Sequence, residues 1–101
     1  MDKEAKHFRA VIYRNENDNL WLVRCLENNI AAQGKSIEES VQRLKLTFEA
    51  QAKLDKEKGV EAFANSKPAP QKFFDLFAKT NLKATSDLDS EELKTEYAVC
   101  A

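Results

Sequence analysis

The first 27 residues constrain this chain more than any other stretch. Two runs rich in β-branched and aromatic residues, KHFRAVIYR at 6–14 and NLWLVRCLE at 19–27, flank Asn15-Glu16-Asn17-Asp18. Asn and Asp side chains bond their own backbone and so favour turns, which makes the pattern a predicted β-hairpin. Pairing about the centre of that loop sets Phe8 opposite Cys25, Ala10 opposite Val23 and Ile12 opposite Trp21, giving one wholly apolar face. The other face carries Arg9 and Arg24, but also Val11, Tyr13, Leu20, Leu22 and Leu26. A hairpin apolar on both sides needs cover on both sides.

The rest of the chain offers candidates for that cover. Asn28-Asn29 reads as a second turn and 30–33 as a short third strand. Ser36 with Glu39 has the spacing of a capping box, in which two side chains satisfy free donors of a first helical turn. Ile37, Val41, Leu44 and Phe48 follow at helical spacing as a core-facing stripe, and Leu46, Ala50 and Leu54 read as a second stripe that widens the buried face late in the helix. Gly59 is a natural stop, so the helix should run over 37–58, a rod of roughly 33 Å. Residues 60–63 fit either a short strand or a loop. Ser66-Lys67-Pro68-Ala69-Pro70 is a linker, with Pro70 placed as the first residue of a new helix, in which 71–80 concentrates Phe73, Phe74, Leu76 and Phe77. Beyond it two lysines face five carboxylates, so the end of the sequence reads as an acidic tail. Asp89 with Glu92 suggests a further short helix start there, and Cys100 is expected to be mobile. The expected fold is α+β: a three- or four-stranded antiparallel sheet backed by one long helix, with a core over 1–64 and the linker, aromatic helix and tail over 65–101.

Few functional classes survive the composition. Sixteen basic against seventeen acidic residues, a net charge of −1, leave no electrostatic footprint for nucleic acid. No apolar run approaches the roughly 18 residues of a membrane span, and the first ten residues are too charged for a signal peptide. Two distant cysteines without CxxC spacing exclude a disulfide framework or zinc knuckle and point to a reducing, cytoplasmic setting. His7 and Cys25 could in principle form a nucleophilic pair, but the hairpin pattern directs them to opposite faces. Gly34-Lys35-Ser36 imitates the end of a phosphate-binding loop, yet the first glycine of that motif would fall on Asn29. Asp18, Glu27, Glu38 and Glu39 could serve a metal-dependent nuclease only by converging on one point, and turn and capping roles already claim Asp18 and Glu39. No catalytic residue, cofactor or metal ligand is therefore expected.

One family resemblance is present. Cys25-Leu26-Glu27 and Ala32-Gln33-Gly34-Lys35-Ser36-Ile37-Glu38-Glu39-Ser40, in the order hairpin, short strand, long helix, resemble the HicB family of bacterial antitoxin-like proteins over about residues 8–54. The resemblance implies a β-β-β-α-β core, a truncated ribonuclease-H-like fold without that fold's catalytic carboxylates, self-association, and binding to a small HicA-like ribonuclease toxin. Many members also carry a C-terminal DNA-binding segment. This chain has no basic recognition helix after Gly59, so DNA binding is not expected of it. The leading expectation is a non-enzymatic protein-binding module, an antitoxin or a regulator derived from one. Its self-association or partner face would comprise Val11, Tyr13, Leu20, Leu22, Phe73, Phe74 and Phe77, with the aromatic helix contributing to a symmetric homodimer. Two alternatives stand beside it: an inhibitor of another target that presents the acidic tail, and a small nuclease using Asp18, Glu27 and Glu39.

Overall fold

Alternating apolar residues produce the hairpin. The computed structural model, which describes residues 6–80, 83–85 and 93–100, pairs β1 (Lys6–Asn15) antiparallel with β2 (Leu20–Cys25). The register differs from expectation by two residues: Ala10 lies opposite Cys25, Ile12 opposite Val23 and Arg14 opposite Trp21. The turn is the cause. Asn15 is still a strand residue opposite Leu20, and the loop closes through Asn19, which adopts a left-handed φ of 55° and accepts a hydrogen bond from the Arg14 side chain. Asn15 Nδ2 donates to Asp18 Oδ2 at 2.9 Å across the same loop. An even shift leaves each side chain on its expected face.

A tight turn at 26–30, with Asn29 at φ 58° and Asn28 Oδ1 accepting from the Ile30 backbone N–H, leads into β3 (Ala31–Gly34), antiparallel to β2. Helix α1 (Ile37–Glu57) starts at the expected cap: Ser36 Oγ accepts from the Glu39 N–H at 3.1 Å, while the Glu39 carboxylate reaches one residue past the N-cap to accept from the Lys35 N–H at 3.3 Å, a displaced form of the capping box. Leu44 and Phe48 are buried against the sheet among Phe8, Ala10, Ile12, Val23, Cys25 and Tyr97. The second stripe does not widen this face. Leu46 is 59 % exposed, Leu54 48 %, and Ala50 is exposed too. At roughly 100° per residue these three lie on the far side of the helix from Ile37, Val41, Leu44 and Phe48.

After Gly59 (φ 75°) the chain forms a loop, not a strand. The loop turns Phe63 back into the core, where its ring meets Phe8 and Phe48 at 5.3 and 5.2 Å. Phe63 sits at φ 62°, an uncommon conformation for a bulky residue, and the buried Asp55 holds it there by accepting its N–H at 2.7 Å. Gln51 Nε2 donates to the other oxygen of Asp55.

Helix α2 (Gln71–Lys79) follows with Pro70 as its N-cap. Two strands complete the sheet, β4 (Lys83–Thr85) and β5 (Leu93–Cys100), in the order β3-β2-β1-β5-β4. The protein is α+β, a sheet backed by a long helix. The sheet differs from expectation in having five strands and in being mixed, because β5 runs parallel to β1, from Lys6 opposite Leu93 to Tyr13 opposite Cys100. Much of what reads as an acidic tail is therefore built into the sheet, and Cys100 is a strand residue. The physical reason is the alternation Thr95, Tyr97, Val99, which gives this segment an inward face that its charge count conceals. The suggested helix start at Asp89 and Glu92 lies outside the described residues. Helix α1 covers one face of the sheet; on the other, Phe77 of α2 and Ala69 just before that helix cover Val11, Leu26 and Ala98.

Candidate functional site

The α2 face carries the most unusual side-chain arrangement in the molecule. The Ala69 N–H donates to the Leu26 carbonyl at 2.8 Å and pins the start of α2 over β1. Phe77 then fills the space above Val11 and Ala98, and the remaining aromatic rings meet two arginines. The Arg9 guanidinium lies 5.3 Å from the Phe74 ring centre and 5.9 Å from that of Phe77. Its Nε donates to Glu27 Oε2 at 2.7 Å, and the Arg9 backbone N–H donates to Glu27 Oε1 at 2.6 Å. Arg24 lies 4.8 Å over Phe73, donates from Nη1 to Asn29 Oδ1 at 2.8 Å, and keeps a buried Nε–H without a hydrogen-bond acceptor. Phe73 in turn packs 5.8 Å from Tyr13. Guanidinium groups stacked on rings contribute about 0.5–2 kcal/mol each and fix where the rings can sit.

The seven residues expected to form a partner face divide accordingly. Val11 and Phe77 are buried within the chain's own second core. Tyr13, Leu20, Leu22, Phe73 and Phe74 are only half-buried. Leu22 is the cross-strand partner of Tyr13, so Leu22, Tyr13 and Phe73 form a continuous apolar strip beside Arg24, extended along β2 by Leu20. Helix α2 lies over β1 and leaves this strip, toward the turn end of the hairpin, partly open to water. In the sequence Arg9 and Arg24 appear only as interruptions of an apolar face; three phenylalanines within one short helix were the signal that those arginines would be stacked.

The residues that could carry chemistry are occupied or distant. Cys25 is fully buried, and burial pushes its thiol from 9.0 up to about 12, with the Glu27 carboxylate adding to the rise. A thiol so protonated is no nucleophile. His7 pairs in the β1–β5 register with Lys94. Gly34-Lys35-Ser36 serves the start of α1, where the glycine allows close approach: a Cβ at position 34 would lie 2.7 Å from the Ser40 backbone nitrogen. Asp18 belongs to the hairpin turn and Glu27 to the opposite end of β2, about 20 Å of strand away. Glu39 is engaged by Lys35 and, at 3.2 Å, by Arg43. Among the described residues no three His, Cys, Asp or Glu side chains are grouped to hold a metal ion.

Cys25 supplies a prediction. Because its folded-state pKa lies above the unfolded one, its contribution to stability is complete below about pH 9 and is lost as pH rises toward 12. In a Cys100→Ser background, iodoacetamide should label Cys25 only at the rate of unfolding. The stability advantage over Cys25→Ala should shrink above pH 9. Rapid labelling of the folded protein at pH 8 would contradict this account.

Set against protein-family models, curated proteins and solved structures, the chain matches none. No helix among the described residues is long and apolar enough to cross a membrane.

Proposed function

We propose that this protein is a non-enzymatic, HicB-like binding module of the cytoplasm, an antitoxin or antitoxin-derived regulator that masks a small HicA-like ribonuclease. The observation that carries this reading is the half-buried strip of Tyr13, Leu20, Leu22 and Phe73 beside Arg24. Aromatic, aliphatic and arginine side chains in one open patch have the composition of a protein-contact centre. Two further features support it. The chain folds in β-β-β-α order with a later strand returning beside β1, in keeping with the order the resemblance implies. The carboxylates a nuclease would need are held in a turn, an ion pair and a helix cap.

The test is inhibition of RNA cleavage by a small HicA-like ribonuclease, taken from beside this gene where the genome encodes one. Inhibition should saturate at a fixed ratio of the two proteins, because masking consumes one binder per target. Leu22→Glu should weaken it at least about tenfold, since a charge in the centre of a contact patch is poorly tolerated. Asp18→Ala with Glu27→Gln should leave it intact. Multiple-turnover hydrolysis of RNA by the protein alone with magnesium, abolished by that double change, would replace the binding module with a nuclease.

A further inference from the structure

The outward face of α1 carries an apolar row that none of the described residues covers. Leu46 and Leu54 are the two most exposed large apolar side chains among the described residues, and Ala50 lies exposed midway between them, four residues from each. Spacing of i, i+4 and i+8 makes a narrow stripe along a helix of roughly 31 Å. On the same face Arg43 stands one turn before the first leucine and Glu57 one turn after the second, both exposed. The row is therefore self-complementary about Ala50. Laid against a second copy of itself in the antiparallel sense, Leu46 meets Leu54, alanine meets alanine, and Arg43 meets Glu57 at each end.

We infer that α1 is the self-association surface of this protein, and that its occupant is the α1 of a second copy, packed antiparallel about a two-fold axis at Ala50. Charge complementarity selects this arrangement. A parallel pairing in register would oppose Arg43 to Arg43 and Glu57 to Glu57, whereas the antiparallel one makes two ion pairs. Arg43 is prepared for the role: its Nη1 donates to the Gln33 carbonyl at 3.1 Å and its Nη2 lies 3.2 Å from Glu39, which holds the guanidinium in place with further N–H donors to offer. The small side chain at the centre lets the two helix axes approach to about 8 Å, the near end of ordinary helix packing. Such a dimer leaves the Tyr13–Leu22 strip, on the other face of the sheet, open in both copies. It does not depend on the proposed function.

Sedimentation of the full chain at rising concentration tests it. A dimer should form by about 100 µM, the scale of a small interface. Leu46→Glu and Leu54→Glu should each weaken it at least tenfold with an unchanged circular dichroism spectrum, because both residues are exposed in the single chain. Glu57→Arg should weaken it, and Arg43→Glu added to Glu57→Arg should restore it. In a Cys100→Ser background, Ala50→Cys should form a disulfide across the axis under mild oxidation. Leu46→Cys should not, because two copies of position 46 lie about 12 Å apart along the helices, beyond disulfide reach. A chain monomeric to millimolar concentration overturns the inference, as does a dimer indifferent to Leu46→Glu. If Leu22→Glu abolishes association instead, the dimer uses the strip and the inference about α1 is overturned.

Discussion

Phe48→Ala is expected to destabilise the protein by about 3–5 kcal/mol, the range for removing a buried aromatic ring. Phe48 stands at the meeting point of three elements: its ring lies 5.2 Å from Phe8 of β1 in an edge-on contact and 5.2 Å from Phe63 of the loop after α1. Truncation leaves a cavity that Phe8 cannot fill, because its strand is fixed between β2 and β5. It also removes a surface against which Phe63 maintains its left-handed backbone. Domains of this size have only about 5–15 kcal/mol in total, so urea denaturation should show a much lower midpoint. Phe48→Leu should recover a large part of the loss. An unchanged midpoint for Phe48→Ala would mean that α1 does not pack in this register.

Gly34→Ala should have the second large effect, about 3 kcal/mol, at the upper end of overpacking costs. The added methyl would lie 2.7 Å from the Ser40 backbone nitrogen and 2.9 Å from Glu39 Cβ and Cγ. The first contact is with helix backbone, so relief requires β3 and α1 to separate. Separation would also break the Arg43 contact with the Gln33 carbonyl. Thermal unfolding should report the loss, and Gly34→Ser should behave alike, since the demand is for absence of a side chain. If Gly34→Ala proves neutral, the close approach of strand and helix is not real.

The limits of the sequence reading have physical causes that particular residues make plain. Faces were legible and register was not: alternation in FRAVIY fixes which side Ala10 and Val11 take, but Asn15-Glu16-Asn17-Asp18-Asn19 supports more than one four-residue loop. The start of α1 was legible because Ser36 and Glu39 announce it locally. The row Leu46, Ala50 and Leu54 misleads because a regular row of apolar residues does not say which side of a helix it occupies; only its phase relative to Leu44 and Phe48 does. Strand β5 is hidden in the sequence because charge dominates the residues around it. Its partner β1 is remote in the chain, and long-range parallel pairing leaves no local turn to read. In the sequence Asp55 is one charge among many on an apparently solvated helix face; the return of Phe63 gives its carboxylate a second donor beside Gln51 and buries it.

The placement of β5 between β1 and β4 has a consequence for the life history of the molecule. The hairpin, β3 and α1 are joined by short connections and can assemble within microseconds to milliseconds of being made. At that stage β1 is hydrogen-bonded on one side only, and its other edge, the unpaired backbone along the apolar residues Ala10, Val11 and Ile12, stands open. An open, flat, apolar edge is a template for strands of other chains. Leu93–Cys100 closes it last, and closing it brings together segments from opposite ends of the chain, the slowest kind of contact to form. A nascent chain halted before residue 93 would thus be well structured and adhesive at once. Its hazard lies in the interval between a folded first half and the arrival of the strand that seals it.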